Sequence, residues 1–144
     1  GVFVKKEILE SLNFSENRNF SGTEDWLLWL QLAARYPIYT YPTITSAMVN
    51  HQERSVLSFD EEKYLYRSTY LYESLKKDAQ FVEKFDLKGC RAVYAHMLTY
   101  TALHAAMVNH KKIAAKYLLK GLSLNFGELY SKRFFSIVKK IIFS

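Results

Sequence analysis

The chain has 144 residues, of which 49% are hydrophobic and 24% charged, a balance that is ordinary for a folded domain and excludes an intrinsically disordered segment. Its single cysteine, Cys90, cannot form an internal disulfide, so we expect a cytoplasmic setting and an inert buried thiol. The net charge of +6 is concentrated after residue 109, where eight Lys/Arg accompany one Asp/Glu. A basic tail favours a local anionic partner and disfavours a nucleic-acid-binding domain with a basic stripe.

Residues 1–57 are predicted to mix short strands with helices. The run from Trp26 to Ala34 contains a single polar residue, Gln31, and therefore predicts a helix that is buried on nearly all sides. This helix should end before Pro37, because the residue that precedes a proline disfavours helical backbone. The other predicted elements are an apolar start at Val2–Val4, a helix over Lys5–Leu12, a polar loop over Phe14–Gly22, and short strands at Ile38–Tyr41 and Ile44–Asn50.

Residues 58–144 are predicted to form a helical domain. Apolar side chains at spacings of three and four predict helices over Glu61–Lys77, about 91–108 and Lys111–Leu124. The last two should pair as a close antiparallel hairpin that turns at Asn109-His110, because both are rich in alanine. The hairpin resembles one tetratricopeptide-type unit, but a repeat array needs about three. The predicted fold is thus mainly α with a small β portion.

The final segment, Leu129–Phe143, is predicted to be an amphipathic basic helix. Its apolar face consists of Tyr130, Phe134, Ile137, Val138 and Ile141. Its polar face carries Lys132, Ser136, Lys139 and Lys140. Two interpretations remain open: the helix lies in the headgroup region of a membrane, or its apolar face docks on the hairpin while its lysines are solvated.

The most informative stretch is Thr23-Glu24-Asp25-Trp26, which opens the apolar helix. One interpretation is structural. Ser21 and Glu24 have the spacing of a capping box, or Thr23 caps a helix whose first turn carries two acids.

The alternative interpretation is a resemblance to family 2 glycosyltransferases, which are inverting enzymes with a GT-A fold. Glu24-Asp25-Trp26 followed by an apolar helix resembles the Glu-Asp motif of that family. The flanks also resemble it, in residues 1–9, in Phe14-Ser15-Glu16, and from Tyr36-Pro37-Ile38 to His51 and Arg54-Ser55-Val56. The resemblance covers roughly residues 1–57 and implies the acceptor-side end of a GT-A α/β domain, followed here by the helical domain.

The resemblance also implies roles for individual residues. Asp25 would be the base that accepts the proton of the attacking acceptor hydroxyl, and Glu24 would support the site or bind acceptor hydroxyls. Trp26 would either pack beneath the base or stack against a sugar. Of these two roles we expect packing. His51 and Arg54 would lie near the donor diphosphate, unless His51 is a loop residue without a role.

The sequence contains neither an Asp-X-Asp pair nor a glycine-rich phosphate loop, which in the family belong to the preceding, donor-binding part. We therefore expect an inactive fragment whose Mg²⁺ or Mn²⁺ ligands lie mostly outside this chain. The implied partners are a nucleotide-sugar donor and a glycan or lipid-linked acceptor, in surface polysaccharide or glycan synthesis at the inner face of the membrane. The rival hypotheses are a non-catalytic helical interaction module and a peripheral membrane-anchoring module.

Overall fold

The computed structural model describes residues 4–12, 17–40, 42–43 and 59–143. Within these ranges the chain forms six α-helices: α1 (Lys6–Ser11), α2 (Glu24–Arg35), α3 (Glu61–Lys77), α4 (Ala79–Met107), α5 (Lys111–Leu124) and α6 (Lys132–Phe143). Two short 3₁₀ turns, Arg18–Phe20 and Phe126–Tyr130, precede α2 and α6. The prediction of a mainly helical fold is confirmed.

The bounds of α3 and α5 coincide with the predicted ones, whereas α4 begins earlier than expected. The helix bends at Asp86, whose φ of 53° is left-handed. The Asp86 carboxylate accepts hydrogen bonds from the backbone N–H groups of Lys88 and Gly89, the second at 3.3 Å. These are the bonds of an N-cap, so the part of α4 after the bend starts almost as a new helix.

The predicted small β portion is wrong for the part of the chain that the structure describes. Residues 38–40 belong to no strand, and Ile38 is 65% exposed. An isolated strand leaves its backbone N–H and C=O groups unpaired, and none of the described segments pairs with this one. The predicted strand Ile44–Asn50 and most of Val2–Val4 lie outside the described residues.

A first apolar cluster joins the second half of α4 to α5 and α6. Its buried members are Leu98, Ala102, Ala105, Ala106, Ala114, Tyr117, Leu118 and Ile137. The two hairpin helices cross so closely that a Cβ at Gly121 would lie 2.8 Å from the Thr99 Cγ2 atom. As predicted, the hairpin turns at Asn109-His110: Asn109 has a φ of 62°, and the backbone N–H of His110 donates to the Ala105 carbonyl at 2.8 Å.

The apolar face of α6 packs against this first cluster. Ile137 is fully buried, and Phe134, Val138 and Ile141 contact the cluster from its edge. Tyr130, which was predicted to share this face, is instead exposed, because it belongs to the 3₁₀ turn before the helix. The inner face of α6 is therefore used for docking within the protein.

A second apolar cluster joins α2, α3 and the first half of α4. Its buried members are Phe20, Leu27, Leu71, Leu75, Phe81, Cys90 and Met97. These residues come from both sides of the predicted boundary between residues 1–57 and 58–144. Cys90 is fully buried and burial raises the pKa of its thiol, which agrees with an inert role.

The buried carboxylate of Asp78 ties the end of α2 to the start of α4. Arg35 Nη2 lies 2.9 Å from Asp78 Oδ2, and Gln31 Nε2 donates to the same oxygen at 3.1 Å. The other carboxylate oxygen caps α4 by accepting the backbone N–H of Phe81 at 3.1 Å. Burial alone would raise the pKa of Asp78, but the hydrogen bonds from Arg35, Phe81 and Gln31 outweigh it and hold the pKa below its usual range.

We expect Asp78→Ala to lower the free energy of unfolding by about 3 kcal/mol, because it leaves the largely buried Arg35 unpaired as well as removing a helix cap. The matched control is Asp60→Ala, because Asp60 caps α3 through the backbone N–H of Lys63. That change should cost about 1 kcal/mol, the value of a cap alone. Urea denaturation of both variants measures the difference, and equal losses would contradict a stabilising link between α2 and α4.

Candidate functional site

The start of α2 is shaped by a tight turn at Gly22. Gly22 has a φ of 93°, and a Cβ there would lie 2.9 Å from the Nη2 atom of Arg67 in α3. The Arg67 guanidinium donates a hydrogen bond to the Ser21 carbonyl, and the Thr23 hydroxyl donates to the Phe20 carbonyl at 3.0 Å. Glycine is therefore favoured here for its backbone conformation, whereas the end of the flexible Arg67 side chain could move away from an added Cβ.

Glu24 is the residue that caps this turn. Its carboxylate accepts hydrogen bonds from the backbone N–H groups of Gly22 and Thr23, the second at 2.9 Å. Together with its own backbone N–H and the charge of Arg67, these bonds hold the pKa of Glu24 below its usual range. Neither predicted cap forms as expected. The Thr23 side chain makes no capping hydrogen bond to α2, and Glu24 directly follows the N-cap residue Thr23 instead of lying three residues beyond a cap at Ser21.

Asp25 is the next residue along the chain and differs from Glu24 in its surroundings. Its side chain is exposed, and its Oδ1 atom accepts the backbone N–H of Trp26 at 2.9 Å. The described residues provide no hydrogen-bond donor for Oδ2. Asp25 lies in the first turn of α2. The chain therefore presents a carboxylate oxygen to solvent at the start of this helix.

Trp26 is half-buried and packs against α4. Its ring centroid lies 5.5 Å from that of His96 and 6.4 Å from that of Tyr100. Tyr100 in turn contacts the ring of the buried His104 at 4.4 Å. Packing is thus the role that the contacts of Trp26 support, and it anchors the start of α2 on the helical hairpin.

Beneath Trp26 lies a polar network that joins α4 to the 3₁₀ turn and α6. The Thr99 hydroxyl donates to Glu128 Oε2 at 2.9 Å, and His96 Nδ1 lies 3.5 Å from Glu128 Oε1. Arg133 donates to the His96 carbonyl at 2.9 Å and to the Thr99 hydroxyl at 3.2 Å. Sequence inspection missed this network because its members are separated by about thirty residues. The available signal was Glu128, the only acid after residue 109.

His96 is neutral in this network. Burial lowers its pKa, the neighbouring Arg133 lowers it further, and Glu128 opposes both effects only in part. The Arg133 Nη2 atom lies 2.9 Å from His96 Nε2. Because a guanidinium can only donate, this contact requires Nε2 to accept, which places the imidazole proton on Nδ1 toward Glu128.

The remaining residues of the predicted site cannot be placed in this geometry. His51 and Arg54 lie outside the described residues. Among the residues that are described, no three His, Cys, Asp or Glu side chains come together in a way that could hold a metal ion. Glu24 and Asp25 alone do not fit the ligand set of Mg²⁺ or Mn²⁺, which needs about six oxygen ligands.

An open cleft of about 510 Å³ lies between α2 and the junction of α3 with α4, away from the Glu-Asp motif. It is lined by Leu27, Gln31, Arg35, Ser74, Lys77, Asp78, Ala79 and Gln80. Neither Glu24, Asp25 nor Trp26 contributes to this lining. The polar groups on its wall include Arg35, Gln31 and Asp78, which already bond to one another.

No family model, curated protein or solved structure matches this chain. In the described part of the chain, none of the helices has the length and apolarity that crossing a bilayer requires.

We expect the folded chain to lose stability as the pH falls below 6.5, the ordinary pKa of histidine, because the unfolded chain then binds a proton that folded His96 binds weakly. His96→Gln should reduce the slope of melting temperature against pH between pH 7 and pH 5. Carboxylates with lowered pKa values, such as Glu24, also cost stability on acidification, but that loss develops at lower pH, near their ordinary pKa of 4.5. Identical slopes for the parent and His96→Gln would contradict a depressed pKa for His96.

Proposed function

We propose that Glu24-Asp25-Trp26 is the acceptor-side motif of an inverting family 2 glycosyltransferase and that Asp25 is its catalytic base. The observation that supports this assignment best is the contrast between two consecutive carboxylates. Glu24 is half-buried, and one of its carboxylate oxygens accepts two backbone N–H groups of its own turn. Asp25 is exposed and accepts a single backbone N–H, that of Trp26. A base must be able to meet a hydroxyl that arrives from solvent, and of the two carboxylates the exposed Asp25 meets that condition better.

The proposed reaction is a single displacement at the anomeric carbon of a nucleotide-sugar. The acceptor oxygen forms a bond to that carbon while its proton passes to the Asp25 carboxylate. The bond from the anomeric carbon to the diphosphate oxygen breaks on the opposite face, and the diphosphate leaves with the electron pair. The configuration at the carbon is therefore inverted. Its exposed position in the first turn of α2 allows the Asp25 carboxylate to meet an acceptor hydroxyl from solvent.

The neighbouring residues would position Asp25 rather than react. Glu24 holds the turn closed together with Gly22 and Arg67, and Trp26 anchors the first turn of α2 on His96 and Tyr100. Donor binding, the divalent cation and the roles of His51 and Arg54 belong to parts that lie outside the described residues. The proposed acceptor is a glycan or a lipid-linked glycan in the cytoplasm, at the inner face of the membrane.

In a protein that joins this chain to its donor-binding part, we expect Asp25→Asn to lower transfer by about 100- to 10,000-fold, the usual contribution of a general base. The amide keeps the shape of the carboxylate but cannot accept the proton. Nucleotide-sugar binding should stay near normal. The free energy of unfolding should fall by less than about 1 kcal/mol, because only the interaction with the helix dipole is lost.

Glu24→Gln is the matched control, since it removes one negative charge from the adjacent position. It should lower stability through the weakened turn while leaving more activity than Asp25→Asn. Initial rates of sugar transfer and urea denaturation, measured on both variants, separate the two roles. Transfer by Asp25→Asn within a few-fold of the parent would overturn the assignment of the base.

We also expect the 144-residue chain to bind no common nucleotide-sugar saturably, because its sequence lacks both the Asp-X-Asp pair and a glycine-rich phosphate loop. Isothermal titration calorimetry with uridine, guanosine and thymidine diphosphate sugars measures this directly. A dissociation constant in the low micromolar range would show that these residues include a donor site, in conflict with the proposed division.

A second candidate function is a non-catalytic helical interaction module. It is favoured by one observation, namely that every regular element in the described ranges is a helix or a 3₁₀ turn. In such a module Glu24 and Asp25 would only start a helix, as the capping bonds of Glu24 allow. The Asp25→Asn experiment distinguishes the two candidates, because an interaction module has no transfer activity to lose.

A further inference from the structure

Helix α6 carries exposed apolar side chains on the face opposite to the docked one. Phe135 is 63% exposed, Ile142 62% and Phe143 79%. With 3.6 residues per turn, these three positions share the outer face with Lys132 and Lys139, which are also exposed. The exposed ring of Tyr130 precedes them in the adjoining 3₁₀ turn. Helix α6 is thus apolar on both sides, and among the described residues only those on its inner side have neighbours that cover them.

The charges on this outer face are positive and are not neutralised from within the helix. The segment from Lys132 to Phe143 contains no acidic residue. Glu128, the only acid in the sequence after residue 109, is buried and bonds to Thr99. Arg133 is directed inward to the His96 carbonyl, so the lysines remain as the cations available to a partner.

We propose that the outer face of α6, formed by Tyr130, Lys132, Phe135, Lys139, Ile142 and Phe143, binds an anionic lipid surface. Aromatic and aliphatic side chains that alternate with lysines suit the boundary between headgroups and acyl chains, where rings enter the apolar layer and ammonium groups meet phosphates. A helix of twelve residues is about 18 Å long, which is too short to cross a bilayer and long enough to lie on one.

Charge also argues against the simplest alternative occupant, a second copy of this chain. Symmetric pairing of two copies through this face would bring the lysines of one copy toward those of the other. An anionic bilayer instead supplies negative charge and an apolar layer in the same surface. The inference is independent of the proposed transferase activity, because none of its residues belongs to the Glu-Asp motif.

The test is sedimentation of the 144-residue chain with vesicles of phosphatidylcholine alone and of equal parts phosphatidylcholine and phosphatidylserine. We expect binding to the mixed vesicles, and binding that weakens as salt rises, since the attraction of lysines is screened. Each lysine near an anionic surface contributes roughly five-fold in affinity, so Lys132→Ala with Lys139→Ala should weaken binding by roughly 25-fold.

The apolar part of the surface is tested by Phe135→Ser with Ile142→Ser, which should abolish binding while the melting temperature stays unchanged, because both side chains are exposed. Phe143→Ser is a second, single variant that should weaken binding. Ile38→Ser is the matched control, since Ile38 is 65% exposed but lies far from α6 in the chain. It should bind like the parent.

Equal sedimentation with neutral and mixed vesicles would overturn the proposal, and so would a failure to bind either. If Ile38→Ser lost as much binding as the variant that combines Phe135→Ser with Ile142→Ser, the outer face of α6 would not be specifically involved. A dimer in sedimentation equilibrium that Phe135→Ser dissociates, without vesicle binding, would identify a second copy as the occupant and also overturn the lipid assignment.

Discussion

Both apolar clusters form on helix α4, and the second half of this helix is largely buried. Toward its amino end, Phe81 and Cys90 pack with α2 and α3, and toward its carboxyl end Leu98 and Ala102 pack with α5 and α6. The bend at Asp86 lies between Phe81 and Cys90, so α4 changes direction within the second apolar cluster. Since each of the other long helices is held by contacts with α4, their relative positions are fixed by the course of this one helix.

The candidate base depends on this arrangement although it is far from α4 in sequence. The start of α2 is anchored at Trp26 by His96 and Tyr100 of α4, and its end is held by the contact between Arg35 and Asp78. A carboxylate in a mobile turn would lose much of its value as a base, because proton transfer requires hydrogen-bond distance to the acceptor hydroxyl. Two anchors, one at each end of a twelve-residue helix, remove that freedom.

Local periodicity allowed the helices α3 and α5 to be predicted to the residue, and the turn at Asn109 was predicted from its composition. The beginning of α4 was not, because it depends on the side-chain caps of Asp78 and Asp86 rather than on an apolar pattern. The strand Ile38–Tyr41 was predicted from composition, which does not say whether a pairing partner exists. At the start of α2, the sequence drew attention to Glu24 and Asp25, but the difference between their hydrogen bonds depends on the folded turn at Gly22. For α6, periodicity showed which residues share a face but not which face meets the protein, so the outer apolar side chains were overlooked.

Because the Arg133 side chain points inward to His96, the contact between α6 and α4 depends on the protonation of that histidine. Neutral His96 accepts a hydrogen bond from the Arg133 guanidinium, whereas a protonated imidazole would repel the guanidinium. Glu128, beside Nδ1, attracts the same charge and opposes this repulsion in part. Proton uptake by His96 and loss of its contact with Arg133 are therefore thermodynamically coupled: each makes the other easier by the same free energy.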